Sequence, residues 1–384
     1  MRDVAVIGIG STYFGKSEKS IIDLGLEACR KALKDAAVEP KQIQSFYLGN
    51  FVGEVLTGQS LIAAMVARGL GLGAIPATKV EGACASGGIA LRQAILTVAS
   101  GEADFALAAG VEKMSGVPTA RVTTALAGSM DQELDGRVGL TFPGFFGISF
   151  GAYMHQYGID KRCIHQVAVK SRSNASNNPV CYLRKPVTVE EVMMSYPVAE
   201  PLRMFDCCPI SDGAAAAVVC PADTAREYQR KPVKILSIAQ TLGSTRISDL
   251  SGMVSFEATV QAAGQAYKQA GVGPWEIDVA ELHDCFTIAE VIDSEDLGFF
   301  KRGEGAIAAT MGETGINGKM PINPSGGLLS RGHPVGATGL AQIYEIVRQL
   351  RGEAYNQVPG AVTGLAHNLG GCGAVCTVSI MQKM

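Results

Sequence analysis

No run in this sequence is apolar for long enough to cross a bilayer, and no basic, apolar leader precedes the first strand-like stretch, Val4 to Ile9. The expectation is a cytoplasmic protein that neither spans nor coats a membrane. Net charge is almost absent as well: 33 Lys and Arg against 36 Asp and Glu leave −3, no electrostatic footprint for nucleic acid. Aromatics are only 6% of residues. No Cys-x-x-Cys pair occurs; Cys207 and Cys208 are adjacent, and Cys372 and Cys376 lie four apart with no nearby ligand set, so no zinc site is expected. Most of the ten cysteines read as reduced core residues. Gly8-Ile-Gly10 resembles the start of a dinucleotide-binding loop, but the next glycine is Gly15 and the spacing fails. The ending Met381-Gln-Lys-Met384 is not a peroxisomal address.

What is present is 47% hydrophobic content and 46 glycines over 384 residues, which suits a densely packed α/β protein of two domains. A strand over Val4–Ile9 leads into a helix over Ile21–Ala37, a strand over Ser45–Leu48, a helix over Gly58–Leu70, and strands at Ala77–Glu81 and Phe105–Gly110. From Pro118 to about Met204 the chain is more polar, richer in Met, Phe and Tyr, and without regular alternation; it reads as an inserted lobe. Packed strands resume at Asp212–Val219 and Val233–Ile238. The pattern then repeats: Lys34-Asp-Ala-Ala-Val-Glu-Pro-Lys-Gln-Ile43 aligns with Lys268-Gln-Ala-Gly-Val-Gly-Pro-Trp-Glu-Ile277, with Lys, Ala, Val, Pro and Ile identical. Each copy ends a helix, turns at proline and enters a strand (Val279–Leu282 in the second). Two similar halves packed about a pseudo-twofold axis follow, with a site between them. The expected division is residues 1–117 with 205–228 for the first domain, 118–204 for the insertion, and 229–384 for the second domain.

The chemistry collects on glycine-rich turns. In Glu81-Gly-Ala-Cys84-Ala-Ser-Gly-Gly88 a cysteine stands between a strand and an apolar helix (Ile89–Val98). It reads either as a thiol activated by the helix N-terminus, with a pKa drawn toward neutrality, or as one more small core residue. Three of the five histidines fall in strand-end or glycine turns: His283, His333 and His367. His333 precedes the helix Leu340–Leu350 as Cys84 precedes its own, so the two would face each other across the interface, a cysteine with its base. Cys285 adds a second thiol or a core residue. His155 and His165 read as surface residues of the insertion.

Gly-Ala-Cys84-Ala-Ser86-Gly-Gly, His283-Asp-Cys285-Phe, Asn323-Pro-Ser-Gly-Gly327, Gly332-His333-Pro-Val-Gly-Ala-Thr-Gly339 and His367-Asn-Leu-Gly-Gly-Cys-Gly373, in this order, resemble the thiolase superfamily, most closely the sterol-carrier-protein type and its prokaryotic relatives. The resemblance implies the thiolase fold: two βαβαβαββ domains in five layers with an inserted loop domain. It implies a ping-pong acyltransferase, an acetyl-CoA C-acetyltransferase or 3-oxoacyl-CoA thiolase of lipid metabolism or the mevalonate pathway, with coenzyme A as substrate and no permanently bound cofactor. Cys84 would be acylated, His333 would be its base and Cys285 the second acid/base. His283 and His333 would bind the thioester oxygen, and the N–H groups of Cys84 and Gly370 would form a second oxyanion hole. Many thiolases carry the acid/base cysteine where this chain has Asn368, which leaves Cys372 as a competitor of Cys285. The insertion would bind coenzyme A; Lys161, Arg162, Lys170, Arg172, Arg184, Lys185 and Arg203 are its cations, and Phe142, Phe145, Phe146 and Met154 its candidate lining. A homodimer or dimer of dimers is implied, as is a complex with an OB-fold protein and 3-hydroxy-3-methylglutaryl-CoA synthase. The alternatives are a related carbon–carbon bond enzyme, such as an aldolase or polyketide-type subunit, and a non-catalytic acyl-CoA scaffold.

Overall fold

The computed structural model describes residues 2–384. Its centre is a nine-stranded sheet: β1 (Val4–Ser11), β2 (Ser45–Gly49), β3 (Ala77–Val80), β4 (Ala106–Glu112), β5 (Gly213–Pro221), β6 (Val233–Leu242), β7 (Val279–Glu281), β8 (Thr363–Gly370) and β9 (Val375–Lys383), in the order β3-β2-β4-β5-β1-β6-β9-β8-β7. β1, β4 and β5 are buried along their whole length, so both faces of these apolar runs are covered.

The order shows the expected repeat. β3-β2-β4-β5-β1 is answered by β7-β8-β9-β6, and a parallel bridge from Ile322 to Ala280 of β7 stands where a fifth strand would lie. β1 and β6 pair antiparallel over Val4–Val6 and Val233–Ile235, joining the halves. The repeated decapeptides end helices α1 (Ile21–Ala36) and, in the second half, Glu257–Ala270, turn through 3-10 segments at Pro40–Gln42 and Pro274–Glu276, and enter β2 and β7.

α1 forms because Ile21, Leu24, Ala28, Cys29, Ala32 and Leu33 make one apolar stripe, while Ser20 Oγ accepts from Asp23 N at its start. It covers one face of the first half. α2 (Ser86–Ser100) covers the other and shares that middle layer with the equivalent helix of the second half, Thr338–Arg351. Glycines allow this pairing: a Cβ on Gly110 of β4 would lie 2.3 Å from Gly336 O. The helices Glu257–Ala270 and Thr287–Asp296 close the far face, so helix and sheet layers alternate five deep.

Several boundaries differ from expectation. The helix expected over Gly58–Leu70 begins only at Ile62, after Leu61 takes left-handed backbone, and a separate short helix, Gly53–Thr57, precedes it and ends at the left-handed Gly58. The middle-layer helices begin three and two residues earlier than their apolar runs, because Ser86 and Thr338 are already helical. The insertion, expected to be irregular, is largely helical. α3 (Phe142–Tyr157) buries Phe145, Phe146, Phe150 and Tyr153, and α4 (Lys161–Ser176), capped by Asp160, buries Ile164, Val167 and Ala168. With α3 and α4 placed, the three remaining long helices are α5 (Glu257–Ala270), α6 (Thr287–Asp296) and α7 (Thr338–Arg351). His165, expected at the surface, is buried on α4, its Nδ1 2.9 Å from Asp206 Oδ1; that carboxylate also accepts from Thr287 Oγ1 at the start of α6. A partner distant in sequence is what draws this histidine inside.

Candidate active site

Cys84 sits in a 3-10 turn, Ala83–Ala85, that runs directly into α2. The turn is sharp: Ala83 has φ +50°, and Ser86 Oγ holds it by donating to Ala83 O at 2.6 Å while accepting from Gly82 N at 3.0 Å. Across the middle layer the mirror turn, Val335–Ala337, runs into α7 and carries His333 on its leading edge. The second turn is held from below by Glu112 at the end of β4, whose Oε2 accepts from Gly336 N at 3.1 Å and from Phe51 N at 2.9 Å and whose Oε1 accepts from Asn50 Nδ2 at 2.8 Å, which ties the His333 turn to the segment after β2.

Between the turns the Cys84 sulfur and one ring nitrogen each of His283 and His333 lie within 4.8 Å of one another. They open onto a cavity of 280 Å³ that is also lined by Cys285, Cys207, Cys208, Met114, Phe142 and Phe286. The His283 and His333 rings meet edge to face at 4.9 Å. Burial presses both imidazoles toward the neutral form, His333 down to about 3 and His283 well below its ordinary value, with His333 and His367 adding to the effect on His283. The trio would also suit a thiophilic cation.

The thiol behaves differently from the expectation of a pKa drawn toward neutrality. The backbone N–H groups of Gly371 and Cys84 itself favour the thiolate, but burial dominates and pushes the Cys84 thiol up to about 12. At rest the pair is therefore a neutral thiol beside a neutral imidazole. Gly371 is the neighbour of the expected Gly370, which packs so tightly that a Cβ there would lie 2.3 Å from Gly82 O.

Cys285 follows β7, and its carbonyl accepts from Cys208 N at 3.0 Å. Burial raises its thiol well above the usual range, and the neighbouring Cys208 and Cys84 thiols add to that. Cys372 is only partly buried and does not line the cavity. His367 is not a cavity residue either: its Nδ1 accepts from His283 N at 3.4 Å and its Nε2 meets Thr259 Oγ1 at 3.0 Å, so it braces the His283 backbone. Of the candidate lining, Phe142 faces the cavity, whereas Phe145 and Phe146 are core; Phe146 stacks at 4.6 Å on Phe286 and so backs the wall. Met154 is half-buried and packs against the same core, away from the cavity.

Among the seven cations of the insertion, Lys170 is engaged internally by Glu290 and Arg172 is buried over the Phe205 ring, so neither is free for phosphates. Arg162 pairs with Glu190 and Arg203 with Glu200. Lys161, Arg184 and Lys185 have no ion-pair partner among the described residues.

Sequence reasoning missed four functional neighbours. Asn368 donates to Cys84 O at 3.0 Å and reaches His283 Nδ1 at 3.3 Å. Thr338 Oγ1 lies 2.7 Å from His333 Nδ1. Glu112 and Cys208 are the others. Thr338 carried a signal, its place at the start of the helix that follows His333; the rest depend on contacts far apart in sequence.

Comparison with known proteins gives matches over nearly the whole chain. The family model "Thiolase, N-terminal domain" matches residues 4–223 and "Thiolase C-terminal domain-like" matches residues 239–383. An acetyl-CoA acetyltransferase of Methanothermobacter thermautotrophicus is 47% identical over 385 residues, covering 100% of both chains. Human sterol carrier protein 2 is 37% identical over 402 residues, covering 100% of this chain and 72% of that one. A solved structure, "Ltp2-ChsH2(DUF35) aldolase", superposes with a TM-score of 0.86 at 29% identity, covering 99% of this chain and 97% of that one.

Proposed function

The chain belongs to the thiolase family, and from that premise we propose that it catalyses reversible Claisen condensation and thiolysis of acyl-CoA thioesters through an acyl-Cys84 intermediate, with acetoacetyl-CoA or another 3-oxoacyl-CoA as the cleaved substrate. The observation that carries this reading is the meeting of the Cys84 thiol with two neutral imidazoles in an apolar cavity that a second thiol, Cys285, also lines. In the thiolysis direction His333 takes the Cys84 proton as the sulfur attacks the 3-oxo carbon. The bond between C2 and C3 breaks, and the leaving enolate takes a proton from Cys285. Cys285 thiolate then removes the thiol proton of incoming coenzyme A, whose sulfur attacks the acyl group; Cys84 leaves and recovers its proton from His333. Oxyanion charge is met by His283 on the thioester side and by the backbone N–H groups of Cys84 and the Gly370–Gly371 pair on the other, each donor being worth about 10²–10³ in rate. A positioned acid/base adds about 10²–10⁴.

Residues 1–117 with 205–228 and residues 229–384 form the two catalytic domains, and residues 118–204 bind coenzyme A, with Lys161, Arg184 and Lys185 as the free cations nearest in sequence to that role. The protein works in the cytoplasm, in lipid metabolism or the mevalonate pathway. Edge strand β3, with Thr78 and Lys79 exposed, supports assembly as a homodimer or dimer of dimers. A complex with an OB-fold protein and 3-hydroxy-3-methylglutaryl-CoA synthase is the further proposal. The full-length likeness to the Ltp2-ChsH2(DUF35) aldolase favours one second reading: a thiolase-like subunit of a multi-protein acyltransferase or aldolase.

The test is turnover of acetoacetyl-CoA and free coenzyme A by the purified chain without partners. Acetyl-CoA release that Cys285→Ala abolishes and Cys372→Ala leaves intact is expected. Release lost in Cys372→Ala alone would move the acid/base role to Cys372, and turnover only after a partner is added would establish the second reading.

A further inference from the structure

We propose that Asn368 is a positioning residue that sets the tautomer of His283, so that His283 offers a hydrogen-bond donor to the cavity while the adjacent His333 offers an acceptor. The inference rests on the thiolase reading of the site only for its catalytic consequence.

The orientation of the Asn368 amide is decided at both ends. Gly88 N lies 3.3 Å from one end, and a backbone N–H can only donate, so that atom is Oδ1. The other end lies 3.0 Å from Cys84 O, which can only accept, so that atom is Nδ2. Nδ2 has a second hydrogen, and 3.3 Å away stands His283 Nδ1. A donor there requires a lone pair on Nδ1. His283 is buried and neutral, carrying one ring proton, so the proton is on Nε2, the nitrogen left for the cavity that the ring lines.

His333 is set the opposite way. Thr338 Oγ1 donates to Pro334 O at 3.2 Å, which uses its single hydrogen, so across the 2.7 Å contact it accepts from His333 Nδ1–H. His333 Nε2 is then unprotonated and able to receive the Cys84 proton. Two histidines edge to face at 4.9 Å thus hold complementary tautomers: one supplies the developing enolate or thioester oxygen with a donor, the other supplies the thiol with a base. The slot for Asn368 is shaped for it. A Cβ on Gly339 would lie 2.2 Å from its Oδ1, and one on Gly88 would lie 3.1 Å from the same atom. The amide therefore wedges between the N-termini of α2 and α7 and cannot turn without losing both backbone partners. Behind it, His367 Nδ1 accepts from His283 N at 3.4 Å, which holds the His283 backbone in place without touching its ring proton.

The decisive measurement is ¹⁵N NMR of the imidazoles in the histidine-labelled full chain, with His283 assigned by its loss in His283→Gln. In the wild type, His283 Nδ1 is expected as the unprotonated nitrogen and Nε2 as the protonated one; a proton on Nδ1 overturns the proposal, whatever the activity. Asn368→Asp keeps the shape but can only accept, so neutral His283 should move its proton to Nδ1. At high pH, kcat for thiolysis should then fall about 10²–10³-fold, the loss of one oxyanion donor, with KM little changed. The carboxylate raises the His283 pKa, so below that pKa the ring holds both protons, Nε2–H returns, and kcat of the variant should recover as pH falls. Wild type should lack that limb. An unchanged NMR pattern and kcat in the variant would also overturn the proposal. If Asn368→Asp does not fold, the wild-type spectrum decides alone. The expected tautomers in a protein without thiolase activity would sink the functional reading and leave this one standing.

Discussion

Glu112 makes the link between the first half of the fold and the His333 turn measurable. Its buried carboxylate receives three donors: Asn50 Nδ2 on Oε1, and the N–H groups of Phe51 and Gly336 on Oε2. Glu112→Ala strands all three, and at roughly 1–3 kcal/mol for each unsatisfied buried donor the loss would be about 3–9 kcal/mol. Water entering the polar hole should meet some of them, which places the expected loss in the lower half of that range, about 3–6 kcal/mol. Glu112→Gln keeps an acceptor for Phe51 and Gly336 but turns an amide N–H₂ toward Asn50 Nδ2. Asn50 cannot simply flip to accept, because the same Nδ2 donates to Val111 O at 2.8 Å. One mismatched contact should cost only about 1–3 kcal/mol. The assay is urea unfolding followed by circular dichroism, alongside thiolysis rates under native conditions, where Glu112→Ala should lose kcat because Gly336, three residues beyond His333, is released. The reasoning is refuted if Glu112→Ala stays within about 1 kcal/mol of wild type, or if Gln costs as much as Ala.

Thr338→Val removes the acceptor for His333 Nδ1–H while keeping the shape of the helix start; kcat should drop about 10- to 100-fold, part of what a positioned acid/base contributes, and an unchanged kcat would exclude the threonine from orienting His333. Glu281 is raised to about 8 from an ordinary 4.5 by burial first and by the nearby Glu345 second. Folding then favours its protonated form, so its contribution to stability is complete below pH 4.5 and is lost as pH rises through about 8. Unfolding free energies of wild type and Glu281→Gln should therefore diverge across that window, and parallel pH curves would contradict the assignment.

The parts of the fold legible in the sequence were those written in local pattern. Fully buried strands such as Ala106–Glu112 announce themselves as continuous runs of small apolar residues, and the repeated helix–proline–strand decapeptide exposes the internal symmetry because each copy performs the same turn. Cys84 and His333 were legible together because each precedes a middle-layer helix. What was hidden depended on distance. His165 looks like a surface residue until Asp206, 41 positions away, is brought beside it. Cys207 and Cys208 look like core filler until the antiparallel bridge from Cys207 to Phe286 carries them to the cavity wall beside Cys285. The helical character of the insertion was masked because α4 is polar on most of its surface and buries only one side. Local pattern also left the Cys84 thiol open between a helix-activated nucleophile and a buried core residue: a helix N-terminus lowers a thiol pKa, but the sequence does not show the depth of burial, and burial prevails.

The central claim is that Cys84 carries the acyl group, and intact-mass spectrometry of the chain after brief exposure to acetoacetyl-CoA, with peptide mapping, tests it most directly. The account predicts a single acetyl adduct on Cys84 that free coenzyme A discharges as acetyl-CoA and that is missing in Cys84→Ser. An adduct on Cys285 or Cys208 instead, or turnover that persists in Cys84→Ala, would contradict it.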